Sequence, residues 1–164
     1  MSDLIIRPAS AADAEPIWGM LEPVIRAGET YALPRDMARE AALSYWLGGD
    51  RATYLAERAG EPAGTYYLRA NQPGGGAHVA NCGYVTALKA RGQGIARGMC
   101  LHSLDVARGR GFRAMQFNFV VASNLTAIRL WQSLGFVTLC RLPSAFQHPQ
   151  LGFVDALVMH RELH

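Results

Sequence analysis

The chain has 164 residues, half of them apolar, and a formal net charge of +3. That length supports one domain whose core needs no disulfide or metal staple, and the apolar fraction excludes a disordered chain. Fifteen of the sixteen basic residues are arginine, with Lys89 the lone lysine, and they form no basic tract or basic–aromatic patch, which argues against a nucleic-acid partner.

Residues 4–7 read as a short strand, and a helix begins near Ser10 or Asp13 with Pro16 in its first turn, where a missing N–H costs nothing. Ile17, Met20, Leu21 and Val24 form its apolar stripe, Gly28 ends it, and residues 29–34 connect onward. A second helix spans about 36–47 and stops at Gly48 and Gly49. Residues 53–57 and 63–69 pair as a hairpin around Gly60-Glu61-Pro62, and the Pro/Gly-rich stretch 71–76 is a flexible link. The run 77–86 is a strand, 95–108 a helix, 114–121 a strand, and a further helix follows Asn124. Strands at 137–142 and 153–160, joined by a loop carrying Pro143, Gln147, His148 and Pro149, complete the order. Such an order predicts an α/β (α+β) fold, a mixed sheet with helices on both faces, in one domain over residues 4–163.

Cys82, Cys100 and Cys140 are odd in number and widely spaced, which reads as buried free thiols in a reducing cytosol. The five histidines show no metal-ligand spacing, so no metal is expected. No signal segment and no apolar run near the ~20 residues of a membrane span is evident, and the expectation is a soluble, cytoplasmic protein.

Two segments carry chemistry. Arg91-Gly92-Gln93-Gly94-Ile95-Ala96-Arg97 joins a strand to a helix start, where the first N–H groups have no internal partners and the helix dipole favours anions. Gly92 and Gly94 let a phosphate approach the backbone, and Arg91 and Arg97 add charge-assisted donors, so the turn suits a pyrophosphate. A P-loop would need Lys then Ser or Thr after its last glycine, and a Rossmann turn would need Gly or Ala where Arg97 stands. Downstream, Ser123 or Asn124 can cap a helix whose Ala127, Leu130, Trp131 and Leu134 recur at helical spacing. Gly135 suits a left-handed C-terminal cap, with Phe136 packing back. Alone, this second segment is equally an ordinary capped core helix.

Together the segments resemble the GCN5-related N-acetyltransferases. Arg-x-x-Gly-x-Ala is similar to that family's coenzyme A pyrophosphate loop, and Asn124-x-x-Ala127-x-x-Leu130-Trp131-x-x-x-Gly135-Phe136 to its Asn-x-x-Ala-x-x-Leu-Tyr-x-x-x-Gly-Phe motif. The resemblance implies the acyl-CoA N-acyltransferase fold, mostly antiparallel, and acetyl-CoA as co-substrate. It implies two strands that splay apart, with the pantetheine arm pairing with backbone at Tyr84, Val85 and Thr86, and an N–H near Val85 polarising the thioester. Residues 91–97 would hold the pyrophosphate, while Asn124, Ala127, Leu130 and Trp131 complete the cofactor site. A homodimer is expected on the same ground.

Trp131 stands where the family usually has Tyr as general acid, and an indole cannot surrender a proton near neutral pH. Transfer survives this: a thiol of pKa ~8.5 leaving unprotonated at pH 7 costs about 2 kcal/mol, and water, Tyr84 or Ser123 are alternative proton sources. Glu29 is the leading base candidate, against an ordinary surface glutamate. Tyr31, with Tyr66 and Tyr67, is a candidate for the acceptor pocket, against plain aromatic packing. Asn81 and Asn118 are amides inside apolar strands, where they must find partners, and on neighbouring strands they can face one cleft and bind a substrate carboxylate. With 118–124 and 152–157 they resemble the fungal N-acetyltransferases acting on azetidine-2-carboxylate and related proline analogues.

The resulting expectation is direct acetyl transfer, in a ternary complex, to a small amine, an amino or imino acid included. The alternatives are a peptide, protein or polyamine acceptor, or a non-catalytic acetyl-CoA sensor. Neither nucleic acid nor membrane is an expected partner.

Overall fold

The computed structural model describes residues 3–164. Seven strands form one sheet in the order β1-β2-β3-β4-β5-β7-β6. They are β1 (Leu4–Pro8), β2 (Ala52–Arg58), β3 (Glu61–Ala70), β4 (Val79–Thr86), β5 (Ala114–Val121), β6 (Val137–His148) and β7 (Gly152–Glu162). Neighbours are antiparallel except β4 and β5, which pair in parallel only at Val79–Ala114 and Ala80–Met115. Among the described residues four α-helices pack on this sheet: α1 (Ala14–Ala27), α2 (Arg39–Leu47), α3 (Ile95–Gly109) and α4 (Leu125–Ser133).

Strand alternation assigns the helices to faces. Thr65 accepts the Trp46 indole N–H of α2 at 3.0 Å, whereas its neighbour Tyr66 pairs its hydroxyl with His102 Nδ1 of α3 at 2.7 Å. Consecutive strand residues point to opposite faces, so α2 and α3 lie on opposite sides. Tyr84 bonds Ser103 of α3 and stacks obliquely near Trp131 of α4, which puts α4 beside α3. The expected mixed, mostly antiparallel sheet with helices on both faces is what the chain forms.

Close packing fixes where α3 begins. A Cβ on Gly64 would lie 2.8 Å from Met99 Sδ and 2.9 Å from Ile95 Cγ2, so α3 seats directly on β3 only because that position has no side chain.

Several element boundaries differ from the sequence reading, three of them with a clear local cause. The second helix starts at Arg39 because Arg26 Nη1 donates to the Arg35 and Met37 carbonyls, holding residues 35–37 out of the helix. The first hairpin turns at Ala59-Gly60, both at positive φ, so Glu61 and Pro62 already belong to β3. The expected loop after Leu142 is strand: β6 bulges between Leu142 and Phe146 and pairs again at Phe146–Val154. Ser144, at φ 49°, is held there by its N–H donating to Asp155 Oδ1 at 2.8 Å.

Candidate active site

The parting of β4 and β5 opens a cleft of about 850 Å³. Asn71 N–H donates to Val79 O and Ala87 N–H to Ala63 O, which makes 63–87, 65–85, 67–83 and 69–81 the mutually hydrogen-bonded pairs of the β3–β4 ladder. The alternate residues Cys82, Tyr84 and Thr86 therefore turn N–H and C=O toward the missing stretch of β5. This is an open strand edge inside the fold, fitted to a ligand that hydrogen-bonds backbone.

That parity corrects one expectation. The Val85 N–H lies inside the ladder opposite Thr65, so it does not face the gap. The donors that do are its neighbours, Tyr84 and Thr86. A second correction concerns the Tyr84 side chain, offered above as a proton source: its hydroxyl sits 2.7 Å from Ser103 Oγ and contacts Met115 Sδ on the α3 side. Desolvation raises its ionisation well above the ordinary phenol range. The side chain is a packed support, and its backbone is what lines the gap.

At one end of the cleft stands the N-terminus of α3. Gly92 and Gly94 adopt φ of 74° and 77°, and nothing lies within 4 Å of where either Cβ would be. The first α3 hydrogen bond joins Gly98 N–H to Gly94 O, leaving the N–H groups of Ile95, Ala96 and Arg97 without helix partners. Arg91, Gly92, Gly94, Ile95, Ala96 and Arg97 line the cleft, but Gln93 does not. Its amide donates back to Lys89 O and its carbonyl accepts Arg58, which turns the side chain outward. Arg97 also donates to Ser133 Oγ at 2.7 Å, tying α3 to the end of α4.

From α4, Asn124, Ala127, Leu130 and Trp131 all reach the cleft wall. Asn124 Oδ1 accepts the Ala127 N–H at 3.3 Å, so the residue caps the helix and lines the site at once. Trp131 is 8% exposed, with Tyr84 and Phe117 each 5.1 Å away between ring centroids.

The opposite wall brings together the acceptor candidates. Tyr31 donates its hydroxyl to Tyr84 O at 2.9 Å, so the loop after α1 closes against the open edge of β4. Desolvation pushes its ionisation well up, and the group stays protonated at neutral pH. Glu29 is exposed on the rim. Asn81 sits where β4 leaves β5, donating from Nδ2 to Gln116 O at 2.9 Å and so satisfying the first carbonyl beyond the last paired residue. Asn118 lies at the β5 bulge between Phe117 and Val120, linked to Gln116 at 2.9 Å and Asn71 at 2.6 Å. Tyr67 lines the cleft whereas Tyr66 faces α3. Arg69, which sequence reasoning missed, lines the same wall; alternation puts it on the face of Thr65 and Tyr67, but only the splay makes that face a cleft. Cys82 is buried against α3, where desolvation raises its thiol to about 12, so it is no nucleophile at neutral pH. Cys100 is buried too, but Cys140 is exposed, against the expectation of three buried thiols, because it lies on the outer strand β6.

The cleft fits coenzyme A: an anion-binding helix start, a hydrogen-bonding strand edge and room between them. The comparisons agree. Residues 18–136 match the Acetyltransferase (GNAT) family. The N-acetyltransferase aca1 of Schizosaccharomyces pombe is 28% identical over 151 residues, covering 82% of this chain and 72% of that protein. A GCN5-related N-acetyltransferase from Kribbella flavida superposes with a TM-score of 0.93 at 42% identity, over 98% of both chains. A phosphinothricin acetyltransferase from Sinorhizobium meliloti, solved with acetyl-CoA, is 22% identical, with a TM-score of 0.85 over 99% of this chain and 89% of that one, and shows the shared fold. With family, fold and cleft in agreement, this chain belongs to the GNAT acetyltransferases and is an N-acetyltransferase that uses acetyl-CoA as co-substrate.

Proposed function

We propose that the acceptor is a small amine, with amino and imino acids the preferred class, acetylated by direct transfer. The observation that carries this reading is the pair Asn81 and Asn118, two amides flanking the point where β4 and β5 part, on the wall of the same cleft as the α3 N-terminus. Bound acetyl-CoA supplies an activated thioester carbonyl, so positioning and polarisation are what the protein must add. The Tyr84 N–H is the donor assigned to that carbonyl, in place of Val85. Residues Arg91, Gly92, Gly94, Ile95, Ala96 and Arg97 hold the pyrophosphate, while Thr86, Asn124, Ala127, Leu130 and Trp131 line the pantetheine arm.

Among the described residues Glu29 is the sole carboxylate on the cleft wall, which supports it as the group that removes the amine proton. Tyr31 remains protonated and orients the acceptor instead. Direct transfer is favoured because the cleft's one thiol, Cys82, is buried and held neutral. The leaving thiolate needs no acid from Trp131, since its departure unprotonated costs about 2 kcal/mol.

The test is thiol release from acetyl-CoA across azetidine-2-carboxylate, hydroxyprolines, primary amino acids, polyamines and short peptides. Turnover led by amino or imino acids is expected. Turnover confined to peptides or polyamines would discard the amide pocket and keep the cofactor site. Tight coenzyme A binding with no turnover anywhere would favour a sensor.

A further inference from the structure

The arginines of the cleft fall into two groups. Arg91 and Arg97 stand at the start of α3, where the helix N-terminus gathers anionic charge. Arg69 stands elsewhere, directly opposite Asn81 in the β3–β4 ladder. Asn81 and Thr86 are separated by about 17 Å of strand at the usual rise, and the α3 turn lies beyond Thr86. A diphosphate held at α3 therefore leaves Arg69 unanswered.

No charge among the described residues answers it either. Among the described residues no carboxylate comes within ion-pair distance of Arg69. Its one hydrogen bond runs from Nε to Asn81 Oδ1 at 3.5 Å, the outer limit of such contacts. The residue is half-buried, and its Nη groups present the fork that matches a carboxylate in two parallel hydrogen bonds.

The surrounding amides are already anchored. Asn81 holds Gln116 O, and Asn118 joins Gln116 to Asn71, so each side-chain amide keeps one N–H free while its orientation is fixed. Strand alternation puts Arg69, Asn81, Gln116 and Asn118 on the face of the sheet that carries α2. Glu29 is the lone acid on the cleft wall, so a polycation meets the wrong charge here.

We infer that Arg69 is the specificity-determining residue of the acceptor site, and that the acceptor is an amine bearing a carboxylate. The guanidinium supplies the charge and the free N–H groups of Asn81 and Asn118 frame it. This rests on the small-amine reading above.

The experiment compares wild type, Arg69→Gln and Arg69→Lys on matched acceptors, namely proline, alanine and azetidine-2-carboxylate, each against its own carboxamide. In parallel, N-acetylproline is titrated into each protein's coenzyme A complex. Wild type is expected to favour the acids by about 100-fold in kcat/KM, equal to about 2.7 kcal/mol. Arg69→Gln should lose most of that preference through acceptor KM, with acetyl-CoA KM unchanged, and Arg69→Lys should fall between. Coenzyme A titration checks that the variants are folded, and the lysine variant carries the test where glutamine fails it. Equal use of acids and amides by wild type, or a preference that survives in Arg69→Gln, overturns the inference. Silence with every acceptor sinks the small-amine reading, and the titration then judges Arg69 separately. N-acetylproline bound by wild type and lost in Arg69→Gln sustains the carboxylate site; no binding by wild type overturns it as well.

Discussion

Gly94 and Trp131 let the proposed site be tested at single positions. Gly94 is left-handed and open above its Cα, so Gly94→Trp puts an indole where a phosphate would lie and adds roughly 1–2 kcal/mol of backbone strain. Isothermal titration should show coenzyme A affinity falling by about 100-fold or more, and retained affinity would remove the pyrophosphate assignment. Trp131 packs against Tyr84 and Phe117, so its aromatic body supports the site whatever its N–H does. Trp131→Phe keeps most of that body and deletes the donor. If the indole bonds the cofactor, kcat should fall about tenfold, the worth of one hydrogen bond of about 1.4 kcal/mol. Unchanged kcat with an unchanged melting temperature would make Trp131 a packing residue only.

At the scale of elements, the proposed cofactor site is assembled by helix starts seated on the sheet. Gly64→Ala drives a methyl into Met99 and Ile95, and should cost about 1–3 kcal/mol in denaturant unfolding. Because the same contact seats the first turn of α3, acetyl-CoA KM should rise in parallel; a stability loss with unaltered KM would uncouple the two. The start of α4 allows a cleaner division. Asn124→Ala removes the cap and should lower stability by about 1 kcal/mol, whereas Asn124→Asp caps equally well and should not. Asp cannot donate and adds negative charge, so Asn124→Asp should still raise acetyl-CoA KM. Normal KM in that variant would leave Asn124 as a cap alone.

Across the whole molecule, one ionic cluster ties the sheet edge to the first helix. Arg7 of β1 donates to Asp13 at 2.9 Å and to Glu57 of β2 at 3.2 Å, while Asp13 also accepts the Ser10 N–H at 2.7 Å. The Arg7 side-chain bond lowers the Asp13 carboxyl to about 2 from an ordinary 3.8. A depressed carboxylate stabilises the fold above about pH 4, and the contribution disappears as pH falls toward 2. Since Arg7 is 40% exposed, solvent screening trims the effect to about 1 kcal/mol. Asp13→Asn keeps a cap for Ser10 and removes the charge. Its unfolding free energy should trail wild type at pH 7 and converge with it between pH 4 and 2; a constant gap across that range would refute the linkage.

Local signals are enough for what depends on neighbours along the chain. Gly92 and Gly94 before an apolar helix state an anion turn, Asn124 states a cap, and the alternation of strands with helices states a mixed sheet. These follow from backbone conformation and periodicity, which a few consecutive residues specify. Tertiary structure alone decided which backbone N–H groups face the gap, because hydrogen-bond parity follows from the β3–β4 register and not from either strand by itself. That is why Val85 read as the donor while Tyr84 and Thr86 hold the position. It also decided that Tyr84 turns its hydroxyl into α3, and that Arg69 shares a wall with Asn81 and Asn118. The α/β pattern was written in local spacing; the cleft exists because β4 and β5 stop pairing after Ala80, a relation between two strands that neither sequence segment contains.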